Sequence, residues 1–289
     1  MPRVYEPNER ALRRMPNPRS AYALPVIDTH CHLTFHDFEG RLDAEMAEAA
    51  EAGVTGALTI STTTTDCLDA LAAARAYKRV WCSAGVHPLH ADAVEAPEDP
   101  ASWANIRLVG QDPKCVAWGE LGLDNHYDHP PTEVQRRVLE HQLERLEAWT
   151  AEGLAKPIVV HCRKAFDDLI PVLRASTLPN DRFVFHCFTG GPDDVRQCLD
   201  LGAMVSFTGV VTYRNAKEVQ EAAAIVPDDR IMVETDAPFL SPEPMRGKRP
   251  CRPAYVAHTA RRLAELRETP FETFHEVINE NTARFFGVR

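Results

Sequence analysis

A chain of 289 residues is long enough to bury a full core and suits one α/β barrel. Its apolar content of 44% and charged content of 26% are those of an ordinary globular protein, and no apolar run approaches the roughly 18 residues of a membrane span. A net charge of −10 excludes a broad basic face, so any contact with nucleic acid has to be local.

Residues 1–25 are rich in Arg, Pro and Asn and lack an apolar signal core; they read as a poorly ordered or surface-draped extension ahead of a domain at 26–289. From there, short apolar runs fall at 26–33, 56–60, 80–86, 115–123, 158–162, 183–187, 204–210 and 231–237. Helical spacing fills 42–52, 65–76, 131–152, 166–175, 193–201 and 216–225, and helices at 253–266 and 270–286 close the chain. Short β-like runs alternating with helices mean parallel strands joined by crossovers. Eight such runs without a Gly-rich dinucleotide loop predict a single-domain (β/α)8 TIM barrel, α/β in class. The eight cysteines show no CxxC and no zinc-ribbon spacing, and read as buried free thiols of a cytoplasmic protein.

Reactive groups of such a barrel belong at the C-terminal ends of its strands. The first run ends in Asp28-Thr-His-Cys-His-Leu33, where His30 and His32 lie two apart and share a face, with Cys31 turned away. Two imidazoles so placed make half of a metal site; a pair of ordinary core or surface histidines is the competing account. The third run ends in His87-Pro88, which puts a histidine over the mouth, read here as a substrate contact. Glu120 follows an apolar run and sits between glycines, where a carboxylate is rare unless paired or metal-bound. It could bridge two cations or pair with a neighbouring base. Asp124 reads first as a turn former.

The fifth and sixth runs each end in His-Cys, at His161 and His186, and Arg163 stands at the rim, able to hold a phosphate or to pair with a loop carboxylate. The eighth run offers Glu234 and Asp236 on one face, with Asp236 nearer the mouth as a metal ligand that also handles a proton. Glu234 then lies one layer below as a supporting group.

Taken in order, DTHCHL (28–33), GVHP (85–88), GELGLD (119–124), VVHCR (159–163), FHCFTG (185–190) and ETDAPFL (234–240) resemble the motifs of the TatD-like metal-dependent hydrolases, a branch of the barrel amidohydrolases. PMRGK (244–248), PAYV (253–256) and NTARF (281–285) match as well, so the resemblance runs from about residue 26 to the C-terminus. It implies a (β/α)8 fold, two divalent cations (Mg, Mn or Zn), and hydrolysis of DNA or another phosphodiester. It also implies that His30, His32, Glu120 and Asp236 hold one ion, and Glu120, His161 and His186 the other. The expected chemistry is a hydroxide activated by two metals, with Asp236 accepting its proton and His87 and Arg163 holding phosphate oxygens. The rival activities are hydrolysis of amides, esters or lactones on the same barrel, or a non-catalytic binding module. No membrane contact and no obligate protein partner are expected. Two departures from the family pattern stand out: the Arg249–Arg252 stretch is one residue longer, and Asn125-His126 replaces an aromatic pair, which weakens the expectation of base stacking there.

Overall fold

In the computed structural model, which describes residues 24–288, strands β1 (Val26–Cys31), β2 (Val54–Thr59), β3 (Val80–Ala84), β4 (Cys115–Asp124), β5 (Ile158–Arg163), β6 (Phe183–Phe185), β7 (Met204–Phe207) and β8 (Ile231–Val233) pair in chain order. Every neighbouring pair is parallel. The ring closes between β1 and the segment that follows β8. There Cys31 bridges Ala237, the His32 amide donates to Ala237 O at 2.7 Å, and the Asp236 amide donates to His30 O at 2.9 Å. The extension read at residues 1–25 lies, apart from Leu24 and Pro25, outside the described residues.

Helices α1 (Leu42–Glu51), α2 (Asp66–Ala76), α3 (Ala104–Gly110), α4 (Thr132–Ala151), α5 (Phe166–Ala175), α6 (Pro192–Leu201), α7 (Lys217–Ile225), α8 (Val256–Leu266) and α9 (Phe271–Phe286) surround the strands. Helical spacing in the sequence marks all of these except α3. At seven residues α3 is too short to show a period, and 3₁₀ turns at Pro88–Ala93 and Pro100–Trp103 fill the rest of that connection.

The core has two parts. Between strands and helices lies the larger layer, with Trp103, Trp118, Phe183 and Phe207 buried in it. Inside the ring, Ile27, Leu58, Val159, Val184, Met204 and Met232 form a plug, completed by Phe285, Phe286 and Val288 at the end of α9. Each such side chain removed from water stabilises the fold by about 1.5–3 kcal/mol. All eight cysteines are unpaired, and all but Cys187 are buried.

Regular alternation does not carry from this plug to the mouth. Ile27 and His30 are three apart, as are Ala117 and Glu120, so in unbroken strands each pair would face opposite sides. The β1–β2 register slips between Asp28 and Cys31, and the β4–β5 register slips between Gly119 and Leu121. Each slip turns the later residue to the inner side, the usual effect of a bulge.

Candidate metal centre

The second slip explains the glycines around Glu120. Gly119 has φ +105°, and a Cβ on it would lie 2.4 Å from the Val159 carbonyl oxygen; Gly122 has φ +151°, and its Cβ would lie 1.8 Å from that of His161. The glycines therefore serve the close approach of β4 to β5.

Glu120 is almost fully buried, and its two oxygens face two different sets of groups. Oε1 lies 3.9 Å from His30 Nε2 and 3.6 Å from His32 Nε2. Asp236 Oδ1 completes that side, 3.6 Å from His30 Nε2 and 3.3 Å from His32 Nε2. Oε2 lies 2.8 Å from His186 Nε2, 3.6 Å from His161 Nδ1 and 3.9 Å from His87 Nε2. Asp236 does not reach this position as a continuation of β8, which ends at Val233. It sits beyond the strand in the left-handed region, at φ +57°. His32 and His186 likewise stand just past the ends of β1 and β6.

Which ring nitrogen points inward is settled by what holds the other one. His32 Nδ1 faces Ile60 O at 3.2 Å, and His161 Nε2 faces Asp124 Oδ2 at 3.1 Å. His186 Nδ1 is 3.4 Å from Glu234 Oε1, without hydrogen-bond alignment. An acceptor behind a neutral imidazole keeps the proton on the outer nitrogen and leaves the inner lone pair free. His87 is built the other way round. Its Nδ1 accepts from the Leu89 amide at 3.0 Å, so its inward Nε2 carries the proton and points at His161 Nδ1, 3.1 Å away. By distance alone His87, Glu120 and His161 could hold a cation, as could His30 with His32 and Glu120, or His30 with His186 and Asp236. The tautomer makes His87 a donor.

Burial would push the Glu120 carboxyl up, but His87, His186 and His30 around it hold it well below the ordinary range. Burial and the His186 charge hold His30 well below the usual imidazole value, and burial and His161 do the same for His87. Burial also opposes a proton on His186, but Glu120 and Glu234 raise it well above the usual value. The buried Nδ1 of His30 has no hydrogen-bond partner, and Glu120 Oε2 faces His186 Nε2 at 2.8 Å without hydrogen-bond alignment. Ring nitrogens meet at 3.4 Å (His30 and His32) and 3.2 Å (His161 and His186), each pair in front of one Glu120 oxygen. Ring nitrogens and carboxylate oxygens converging in a buried site fit positive ions.

Two further carboxylates support this cluster. Asp28 is fully buried and ties β1 to the chain after β8: the Thr235 amide donates to its Oδ1 at 2.9 Å and the Thr235 hydroxyl to its Oδ2 at 2.6 Å. Burial pushes its carboxyl up to about 8. Asp124 accepts from the His126 amide, which makes it the expected turn former, and it also orients His161. A buried carboxylate two residues before His30, and one closing the β4 run, were the available signals.

Above the cluster opens a cavity of about 480 Å³. Arg163 lines it and lies over the Tyr127 ring, 5.2 Å from its centroid, and it pairs with no carboxylate among the described residues. Glu234 accepts from the Cys187 amide beneath.

The family model for TatD related DNase matches residues 27–287. The chain belongs to the TatD family of metal-dependent hydrolases. It is 36% identical over 267 residues to the metal-dependent hydrolase YcfH of Escherichia coli (strain K12), covering 91% of this chain and 96% of that one. It is 33% identical over 224 residues to the 3′-5′ ssDNA/RNA exonuclease TatD of Klebsiella pneumoniae (strain 342), covering 74% and 80%. Among solved structures, the TatD homologue YJJV of Escherichia coli K12 superposes with a TM-score of 0.82 at 29% identity, over 91% of this chain and 98% of that one. No helix among the described residues is long and apolar enough to cross a membrane.

Proposed function

We propose that this member of the TatD family is a nuclease that hydrolyses phosphodiester bonds at a centre of two divalent cations (Mg, Mn or Zn). His30, His32, Glu120 and Asp236 would hold one ion, and Glu120, His161 and His186 the other. The observation that carries this reading is the division of Glu120, one oxygen turned to each group of nitrogens. Such cations supply charge to polarise the phosphoryl group and to make a bound water acidic near neutral pH.

The chain's own residues do the rest. Asp236 is the carboxylate of the cluster nearest solvent, and it accepts the proton of the attacking water. The inward N–H of His87 and the guanidinium of Arg163 donate to the non-bridging oxygens, where charge builds in the transition state. Asp124, Glu234 and the Ile60 carbonyl hold the rings so that no reorganisation is needed at that moment. The kinship with a relative named as an exonuclease on single-stranded DNA and RNA supports the choice of substrate. Eight unpaired thiols support a reducing, cytoplasmic setting.

The test is cleavage of single-stranded DNA by metal-loaded protein, compared with a panel of amides, esters and lactones, alongside the Asp236→Asn variant. The expected result is DNA cleavage, and for the variant a loss of turnover of about 10²–10⁴ with metal still bound. Hydrolysis confined to amides or lactones overturns the nuclease reading, and near-normal turnover by the variant overturns the proton role of Asp236.

A further inference from the structure

The cavity above the cluster has two aromatic walls that the hydrolytic groups do not explain. On the β1–β8 side, Phe35 stacks on His32 at 4.5 Å between centroids, and Phe239 meets Phe35 edge to face at 6.1 Å. On the β4–β5 side, Tyr127 stands 49% exposed, with the Arg163 guanidinium over one face of its ring. In a ring of eight strands joined in order, these two pairs of strands lie across the mouth from one another. Phe35, Tyr127 and Phe239 all line the cavity.

A large aromatic left half in water at a cavity rim costs free energy in the free protein, and a folded chain does not need Tyr127 there for its core. The cavity volume suits one ligand of nucleotide size, and the reactive cluster beneath it is nearly inaccessible: His30 and Glu120 are 0% and 2% exposed. A phosphate inside a stacked duplex cannot reach that depth with its neighbouring bases still paired. A splayed strand or strand end can, provided something receives the unstacked base. Ring faces on both walls stand where that base would go.

From this we infer that Phe35 with Phe239, and Tyr127 with Arg163, form a two-sided stacking clamp for the nucleobases flanking the cleaved phosphodiester, in which Arg163 contributes both a flat cation and a phosphate contact. The inference rests on the nuclease reading and gives it a substrate determinant: any base, held by its face, with a preference for unpaired strands. It also moves the aromatic contact from positions 125 and 126, where the sequence lacks aromatics, to Tyr127.

The probe is a pair of short single-stranded DNA oligonucleotides, identical except that one carries a tetrahydrofuran abasic unit at the nucleotide to be released. Wild type is expected to favour the base-bearing strand in kcat/KM by about ten- to a hundred-fold, the range of base–aromatic stacking. Tyr127→Ala and Phe239→Ala should each shrink that ratio several-fold, while Tyr127→Phe restores it. A second readout needs no turnover: 2-aminopurine at the same position should be quenched on binding the metal-free protein, and less so by Tyr127→Ala. Equal cleavage of both strands by wild type, or an undiminished ratio in both alanine variants, overturns the clamp alone. A wild-type protein that, with metal supplied, cleaves neither strand overturns the nuclease reading and the clamp with it.

Discussion

The two ends of the barrel interior are built on opposite principles. At the floor, Val159, Val184 and Met232 alternate inward as regular strands require, and Phe285, Phe286 and Val288 of the C-terminal segment seal them. At the mouth, regularity fails at several of the candidate ligands. His30 and Glu120 arrive through register slips, and Cys187, Asp236 and Leu240 hold φ values of +44°, +57° and +56°. Each left-handed residue costs on the order of 1 kcal/mol or more, and polar atoms at the mouth lack partners where the floor has none to satisfy. The floor stabilises the fold by size and apolarity. The mouth spends part of that stability to aim side chains.

The sharpest way to break this contrast is Glu120→Gln. Removing the carboxylate that both nitrogen groups share should abolish metal retention and lower kcat/KM by at least about a thousand-fold. The metal-free protein should melt within a few degrees of wild type, since the buried charge and the His186 proton it holds are lost together. Metal analysis paired with a thermal melt reads both halves; a variant that keeps its metals sinks the bridging role.

Phe286→Ala is the converse, with a loss of about 3 kcal/mol from a large side chain deleted at the floor. Denaturant titration should show that loss, while metal content per folded molecule stays at the wild-type level. A parallel fall in metal affinity would mean that floor and mouth are energetically one unit.

Much of this was legible in the sequence, for identifiable reasons. All eight strands were, because each combines an apolar run with flanking helical spacing, and the spacing of two between His30 and His32 correctly sets them apart from Cys31, which lies in the outer layer. The residues that aim the site were not. A register slip leaves no mark in hydrophobic pattern, so nothing in the sequence showed that Ala117 and Glu120 would face the same way. Asp124 looked like a turn former and is one. Its second oxygen, pointed at His161 on the neighbouring strand, depends on a contact 37 positions away. Tyr127 was hidden for the same reason: only the turn built by Asp124 brings it to the cavity.

Asp124→Asn tests that hidden layer. An asparagine fills the same space but lets His161 lose its preferred tautomer, so a ten- to hundred-fold fall in metal affinity or activity is expected, roughly the range for groups behind a ligand. Isothermal titration with the metal alone would measure it. An unchanged affinity would leave Asp124 as a turn former only.

The smallest effect, and the one that separates the two ends most cleanly, is the response to pH. In the metal-free protein His186 holds its proton well above the usual imidazole range; burial opposes this, but the Glu120 and Glu234 carboxylates prevail. A cation binding there must displace that proton. Below the raised value His186 is fully protonated, and affinity should fall by about tenfold for each unit that pH drops; above it the competition vanishes and affinity levels off. His30 does not add to this slope, because burial and the His186 charge keep it neutral. Nor does the floor, whose plug holds no titratable side chain. Glu234→Gln sharpens the point, since removing one of the two carboxylates lowers the His186 value and should move the whole affinity profile toward lower pH. A profile that stays in place when Glu234 is neutralised would locate the competing proton on another ring, with His161 and His32 next in line because carboxylates raise them too.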